Sequence, residues 1–209
     1  MTSIVRNVIY GIYCFIFRSS DCGIPLGVLL VITRKQGIWP NIVIHQVLNP
    51  IINILRSLPF IILLIAIVPF TKLVVGTSIG TTAAIVPLTV YVAPYIARLV
   101  ENSLLEVDEG IIEAAKAMGA SPLQIIRYFL IPEALGSLVL AITTAIIGLI
   151  GSTAMAGAVG GGGIGDLALV YGYQRFDTTV IIITVIVLVI IVQVIQTLGN
   201  VLARFIRRH

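Results

Sequence analysis

Long apolar runs alternate with short polar stretches along the whole chain. A helix that crosses a bilayer needs about 20 mainly apolar residues. Five runs meet that length: 8–33, 51–70, 78–99, 129–156 and 178–205. β-Barrel strands would instead show short segments that alternate apolar with polar, and the run 180–194 does not alternate. The pattern predicts an all-α membrane protein of about five transmembrane helices, forming a single transmembrane domain over 8–205. The first run is the least regular. Arg18 and Asp21 fall in its middle, three residues apart, where a helix lets them pair. A charge in hydrocarbon is costly unless it is paired or faces protein. A substrate contact would have further polar company at that depth, so a broken or shallow first helix is the better reading, with Gly23 and Pro25 marking the break.

Composition sharpens this picture. The chain is 58% hydrophobic and 11% charged, against roughly 25% charged in soluble domains. Its net charge of +4 reads as topology, not as a nucleic-acid surface, because cytoplasmic loops retain Lys and Arg. With the N-terminus outside, Arg34, Lys35, Arg98, Lys116, Arg127, Arg204, Arg207 and Arg208 all become cytoplasmic, with Arg56 near that face. Arg6, Lys72 and Arg175 stay outside, and Arg18 is ambiguous. The expected topology is therefore a membrane crossed several times, with the N-terminus outside and the C-terminus cytoplasmic. Cys14 and Cys22 show no zinc or disulfide pattern. Asp21 directly before Cys22 argues against a lipoprotein signal, where a small residue is needed.

Charge concentrates in one interruption. Residues 101–122 hold five of the nine acidic residues: Glu101, Glu106, Asp108, Glu109 and Glu113. Ile111, Ala114, Ala115 and Met118 recur at helical spacing and form one small-to-apolar face. Gly119 suits the left-handed residue that ends a helix. Ser121, Pro122 and Gln124 then read as a cap, a first-turn proline and a capping box. Helices that lie on lipid are rich in Lys and Arg, and anionic lipid repels acidic ones. A short acidic helix between two spans therefore predicts a protein partner.

Chemistry of other kinds is missing from the sequence. No P-loop occurs. Gly160, Gly162 and Gly165 match G-x-G-x-x-G, but between two spans and without the strand of a dinucleotide site, so a glycine-rich outer bend is expected. His45 and His209 lack the company of a metal site. No cofactor, metal or catalytic residue is expected, and a membrane enzyme is the weakest reading.

Glu113-Ala114-Ala115, Gly119 and Pro132 stand in the register E-A-A, three residues, G, nine residues, I-x-L-P. That signature resembles the EAA loop of bacterial ABC importer permeases. Phe129 and Ile131 are mild apolar departures from it, and the charged Arg18–Asp21 stretch departs from the usual apolar first span. The likeness covers nearly the whole chain after Gly23. On 23–30, 56–64, 76–80, 83–89 and 157–173 it is similar to the methionine importer permeases. The resemblance implies a type I ABC importer permease fold with a cytoplasmic coupling helix. It also implies a homodimer, two cytoplasmic ATPase subunits that use the ATP, and a periplasmic substrate-binding lipoprotein. The implied cargo is methionine, as either stereoisomer, or else another amino acid or small solute within the same family. Glu113, Ala114, Ala115, Met118, Gly119 and Pro132 would then make up the ATPase-coupling loop.

Other candidates follow from position. Pro59, Pro69, Pro87, Pro94 and Pro132 lie in or beside spans, where they kink helices and free carbonyls. Pro59, Pro87 and Pro94, with Arg56, are candidate pathway residues. Arg56 and Arg98, near the inner face, read first as snorkelling anchors, with contact to a substrate carboxylate as the alternative. The pairs Gly148/Ser152, Ala154/Ala158 and Gly157/Gly161 let helices approach closely. An autonomous channel or secondary carrier would need buried charges within the chain, which apart from Arg18 and Asp21 the sequence does not supply.

Overall fold

The computed structural model describes residues 20–162 and 164–207. The first half of the expected first span, with Cys14 and Arg18, lies outside the described residues, as do Arg208 and His209. Every regular element among the described residues is helical. In chain order these are α1 (Ser20–Thr33), α2 (Ile42–Ser57), α3 (Phe60–Ala66), α4 (Val68–Val75), α5 (Thr81–Leu105), α6 (Glu109–Ala117) and α7 (Pro122–Ile125). A π-helical turn (Ile126–Leu130) leads into α8 (Ile131–Ala156). A 3-10 turn (Gly157–Val159), α9 (Ile164–Asp166) and a second π segment (Leu167–Tyr173) precede α10 (Thr178–Ile206).

Among the described residues, three helices are long and apolar enough to cross a bilayer: α5, the combined Pro122–Ala156 stretch and α10. The span expected over 51–70 is interrupted, where kinking prolines were expected. That region is a broken pair, with α2 and α3 meeting at 106°. Proline disfavours helical backbone at the residue before it, and Leu58 accordingly sits extended at φ −79°, ψ 129°. Pro59 then caps α3, and Pro69 falls in the first turn of α4. Pro87 and Pro94 behave differently. Both lie buried inside an unbroken α5, where packed neighbours sustain the interrupted ladder.

α5 is the axis of the fold. The central core groups Ala84, Leu88, Val92, Ile96 and Val100 of α5 with Leu64 of α3 and Ala134, Ala145 and Leu149 of α8. Neighbours reach α5 through small residues. A Cβ at Gly23 would stand 2.7 Å from Ile96, and one at Gly27 only 2.6 Å from the Ala97 carbonyl oxygen. Gly148 lies against the Tyr95 ring and Gly161 against Ala84, so small-residue seams expected from the sequence are filled within the chain. α10 is the outlier. Only 6% of its apolar window is buried, with Thr184, Gly199 and Ala203 the buried residues. Gly199 abuts the Thr143 side chain of α8.

Termini of the spans sort into two ends. Gly80 N–H donates to the Val159 carbonyl at 3.0 Å, which ties the start of α5 to the glycine-rich bend. That bend uses left-handed Gly160 (φ 73°) and Gly162 (φ 69°), and short helical segments follow where an open loop was expected. At the opposite end Arg34 faces Glu109 at 3.6 Å, so the α1–α2 turn lies beside α6.

Replacing Gly27 with alanine forces a methyl into the Ala97 carbonyl. Overpacking of this kind costs about 1–3 kcal/mol. A lower thermal unfolding midpoint in detergent is the expected result, and an unchanged midpoint would show that α1 does not need this close approach.

Candidate functional site, the acidic loop between α5 and α8

Each turn of this loop has a local cause. Asp108 caps α6, its Oδ1 accepting from Gly110 N–H at 2.7 Å. Glu109 in the first turn and Lys116 in the last both suit the helix dipole. The far end closes as a Schellman turn. Gly119 N–H donates to the Lys116 carbonyl at 2.9 Å, and Ala120 N–H to the Ala115 carbonyl at 3.1 Å. Gly119 holds φ +78° with open space where a Cβ would sit. The constraint there is backbone conformation, not crowding. α7 then starts as expected: Pro122 is in its first turn, and Gln124 Oε1 accepts from Ser121 N–H at 2.8 Å.

The π turn explains the join to α8. Ile131 N–H donates to the Ile126 carbonyl, one residue beyond the α-helical partner. Pro132, which has no N–H to donate, follows directly in the first turn of α8. It is exposed and acts as part of a helix start.

The predicted face of α6 divides. Ala115 is fully buried, and Ile111 and Ile112 are half-buried beside it. Ile112 and Val107 pack onto the central core, and Ile125 pins α7 at 1% exposure. Glu113, Ala114 and Gly119 are exposed, and Met118 is 70% exposed. Ala115 thus uses its smallness for packing inside the chain, while Glu113, Ala114 and Met118 look outward. Leu123 at 74% and Tyr128 at 65% exposure extend this apolar surface. Glu113 makes no hydrogen bond or ion pair among the described residues. The Arg34–Glu109 pair is long and solvated, and such pairs contribute little.

Two acids expected in the loop do other work. Glu101 is 7% exposed inside α5, where its Oε2 accepts from Arg98 Nη1 at 2.6 Å. Arg98 Nη2 also donates to Asn49 Oδ1 at 2.8 Å and to Asn53 Oδ1 at 2.5 Å. Arg98 is therefore no snorkelling anchor but the centre of a polar cluster joining α5 to α2. Glu106 accepts from Ser137 Oγ at 2.6 Å, and Arg207 Nη2 donates to the same hydroxyl at 3.2 Å. This clasp ties the root of α6 to α8 and to the end of α10. Sequence reasoning missed both groupings. The i, i+4 spacing of Asn49 and Asn53 and the i, i+3 spacing of Arg98 and Glu101 were the available signals. Of the pathway candidates, Arg56 and Pro59 are exposed, whereas Pro87 and Pro94 are buried.

Known proteins carry this arrangement. Residues 23–209 match the family described as the binding-protein-dependent transport system inner membrane component. The chain belongs to that family. A relative from Vibrio cholerae serotype O1, named a probable D-methionine transport system permease protein, MetI, is 52% identical over 182 residues, covering 87% of this chain and 81% of the relative. Its counterpart from Pasteurella multocida is 53% identical over 193 residues, covering 89% and 86%. Among solved structures, an inward-facing conformation of the MetNI methionine ABC transporter aligns with a TM-score of 0.93 at 47% identity, covering 99% of this chain and 95% of that one. The all-helical chain thus has the type I importer permease fold.

Removing the α6 cap with Asp108→Ala leaves the Gly110 amide unpaired. A lost cap costs roughly 1 kcal/mol. Amide exchange over the first turn of α6 should rise about fivefold while exchange in α5 stays unchanged. Equal exchange in the first turn would mean that α6 is held by packing alone.

Proposed function

We propose that this chain is the membrane subunit of an ATP-driven methionine importer, working as a dimer and driven by separate cytosolic ATPase subunits through α6 and the Gly119 turn. The observation that carries the proposal is the acidic loop. A short helix, capped at both ends and pinned through Ala115 and Ile112, presents Glu113, Ala114 and Met118 outward. An element so anchored transmits a push as a rigid body. The names of the relatives at about half identity support methionine as cargo, and the basic residues near the loop support a cytoplasmic position for it. In this orientation the C-terminus of α10 is cytoplasmic, the glycine-rich bend is periplasmic, and the N-terminus is periplasmic too. Glu113, Ala114, Met118 and Gly119 form the docking surface, with Ala115 and Pro132 fixing its attachment. The nucleotide chemistry belongs to the partner subunits.

Charge reversal at Glu113 tests this reading. Like-charge or mismatched contacts at an interface cost several kcal/mol. In proteoliposomes holding the complete complex, Glu113→Lys should leave the subunit inserted and cut ATP-driven methionine uptake by more than about tenfold. Uptake equal to wild type ends the docking role.

Position-specific crosslinking tests it independently. A cysteine replacing Met118 should crosslink to an ATPase subunit, and one replacing Ala115 should not. Crosslinks from both positions, or from neither, would refute the assigned face.

A further inference from the structure

α2 has three kinds of surface, where a helix at the edge of a membrane bundle needs only two. Ile52 is buried and Leu48 packs with it, which forms the side turned to α5. Val43, Val47, Ile51 and Ile54 are exposed and apolar, which suits lipid. A third sector carries His45, Gln46, Asn49, Asn53 and Arg56. Their spacing brings them onto one side of the helix. Gln46, Asn53 and Arg56 are exposed, while His45 and Asn49 are half-buried. Polar groups of this kind are costly against hydrocarbon, and inside membranes they face protein or a water-filled cavity. Lipid suits the second surface and not the third.

The Arg98 cluster stands behind that sector. Its three hydrogen bonds among the described residues, to Glu101, Asn49 and Asn53, use three of the five N–H donors of a guanidinium. Two donors remain. Glu101 keeps a second carboxylate oxygen within the same cluster. The group therefore offers cationic donors and an anionic acceptor side by side, with Arg98 and Glu101 side chains only 16% and 10% exposed. Low local dielectric strengthens what such groups do for a charged visitor.

We infer that the polar sector of α2 is a wall of the water-filled route taken by the solute, and that the Arg98 cluster is a passing site for a zwitterionic amino acid. The carboxylate of the amino acid takes the spare Arg98 donors, and its ammonium turns to Glu101 and the side-chain carbonyls of Asn49 and Asn53. Existing bonds loosen rather than break, so the contact is brief, as transport requires. Arg56, farther along the same sector, supplies a second cation. The inference rests on the transport reading and adds to it a location and a ligand chemistry.

Single cysteines in a Cys14→Ser, Cys22→Ser background test the wall. In proteoliposomes holding the complete complex, a charged, membrane-impermeant methanethiosulfonate should modify Gln46→Cys and Asn53→Cys and spare Val47→Cys and Ile54→Cys. Equal labelling of the two pairs, or labelling of neither, overturns the inference. Arg98 variants test the site. Arg98→Gln should lower amino-acid uptake per ATP hydrolysed by about tenfold or more, the loss of a charged hydrogen bond, and Arg98→Lys should recover part of it. A merely structural Arg98 would lower the amount of assembled complex and leave that ratio unchanged, which overturns the site. Should the unmodified complex hydrolyse ATP and move no amino acid at all, the transport reading itself fails, and that result is separate from the labelling pattern.

Discussion

The seating of α1, α2, α3, α4 and α8 on α5 is the constraint from which the remainder follows. Lipid offers no hydrogen bonds, so the backbone of a spanning segment must satisfy itself, and association then depends on close packing and on a few polar contacts. Both devices converge on α5. Gly23 and Gly27 bring α1 within backbone contact of it. Arg98 reaches across to Asn49 and Asn53 of α2. Tyr95 rests on Gly148 of α8, and Phe60 of α3 meets Tyr91 edge-on, with ring centroids 5.3 Å apart. α5 leads into α6 through a turn of three residues, Glu106, Val107 and Asp108. Any displacement of the acidic loop is therefore felt first by the helix on which α1, α2, α3, α4 and α8 pack.

That continuity connects fold to function. Glu106, at the end of α5, is held by Ser137, and Ser137 in turn by Arg207. The loop is thus tied to α8 at both of its ends and to α10 through the clasp. A loosely tethered loop would absorb a push from a partner. This one, with Asp108, Gly119 and Ser121 each closing a turn, passes the push on. The nearby polar cluster of Arg98 lies one step further along the same helix, where movement of α5 against α2 alters it directly.

Much of this was legible in the sequence, for physical reasons that differ between elements. α8 and α10 were readable within about two residues because long apolar runs have few other fates. The Gly119 turn and the start of α7 were readable because each depends on local backbone chemistry: a residue that tolerates positive φ, and a proline after a capping serine. The path of 51–70 was not readable. Hydropathy is blind to direction, and the extended backbone that Pro59 imposes on Leu58 turned one apolar run into two crossed helices. The division of α6 was hidden for another reason. Ala115 and Ala114 are chemically identical, and only the position of the core decides which is covered. Glu101 was misplaced because its charge suggested a loop, whereas Arg98, one turn earlier, allows it to stay buried.

The slight burial of α10 has a consequence for how this chain tolerates change. A helix that touches its own chain along one narrow edge leaves the rest of its surface to lipid or to the second subunit. Exchanges among Val, Ile and Leu over most of its surface alter almost no internal contact. Sequence drift should therefore run freely around α10 and stop at the edge marked by Thr184, Gly199 and Ala203, which makes that narrow strip the seam along which the helix remembers its neighbours.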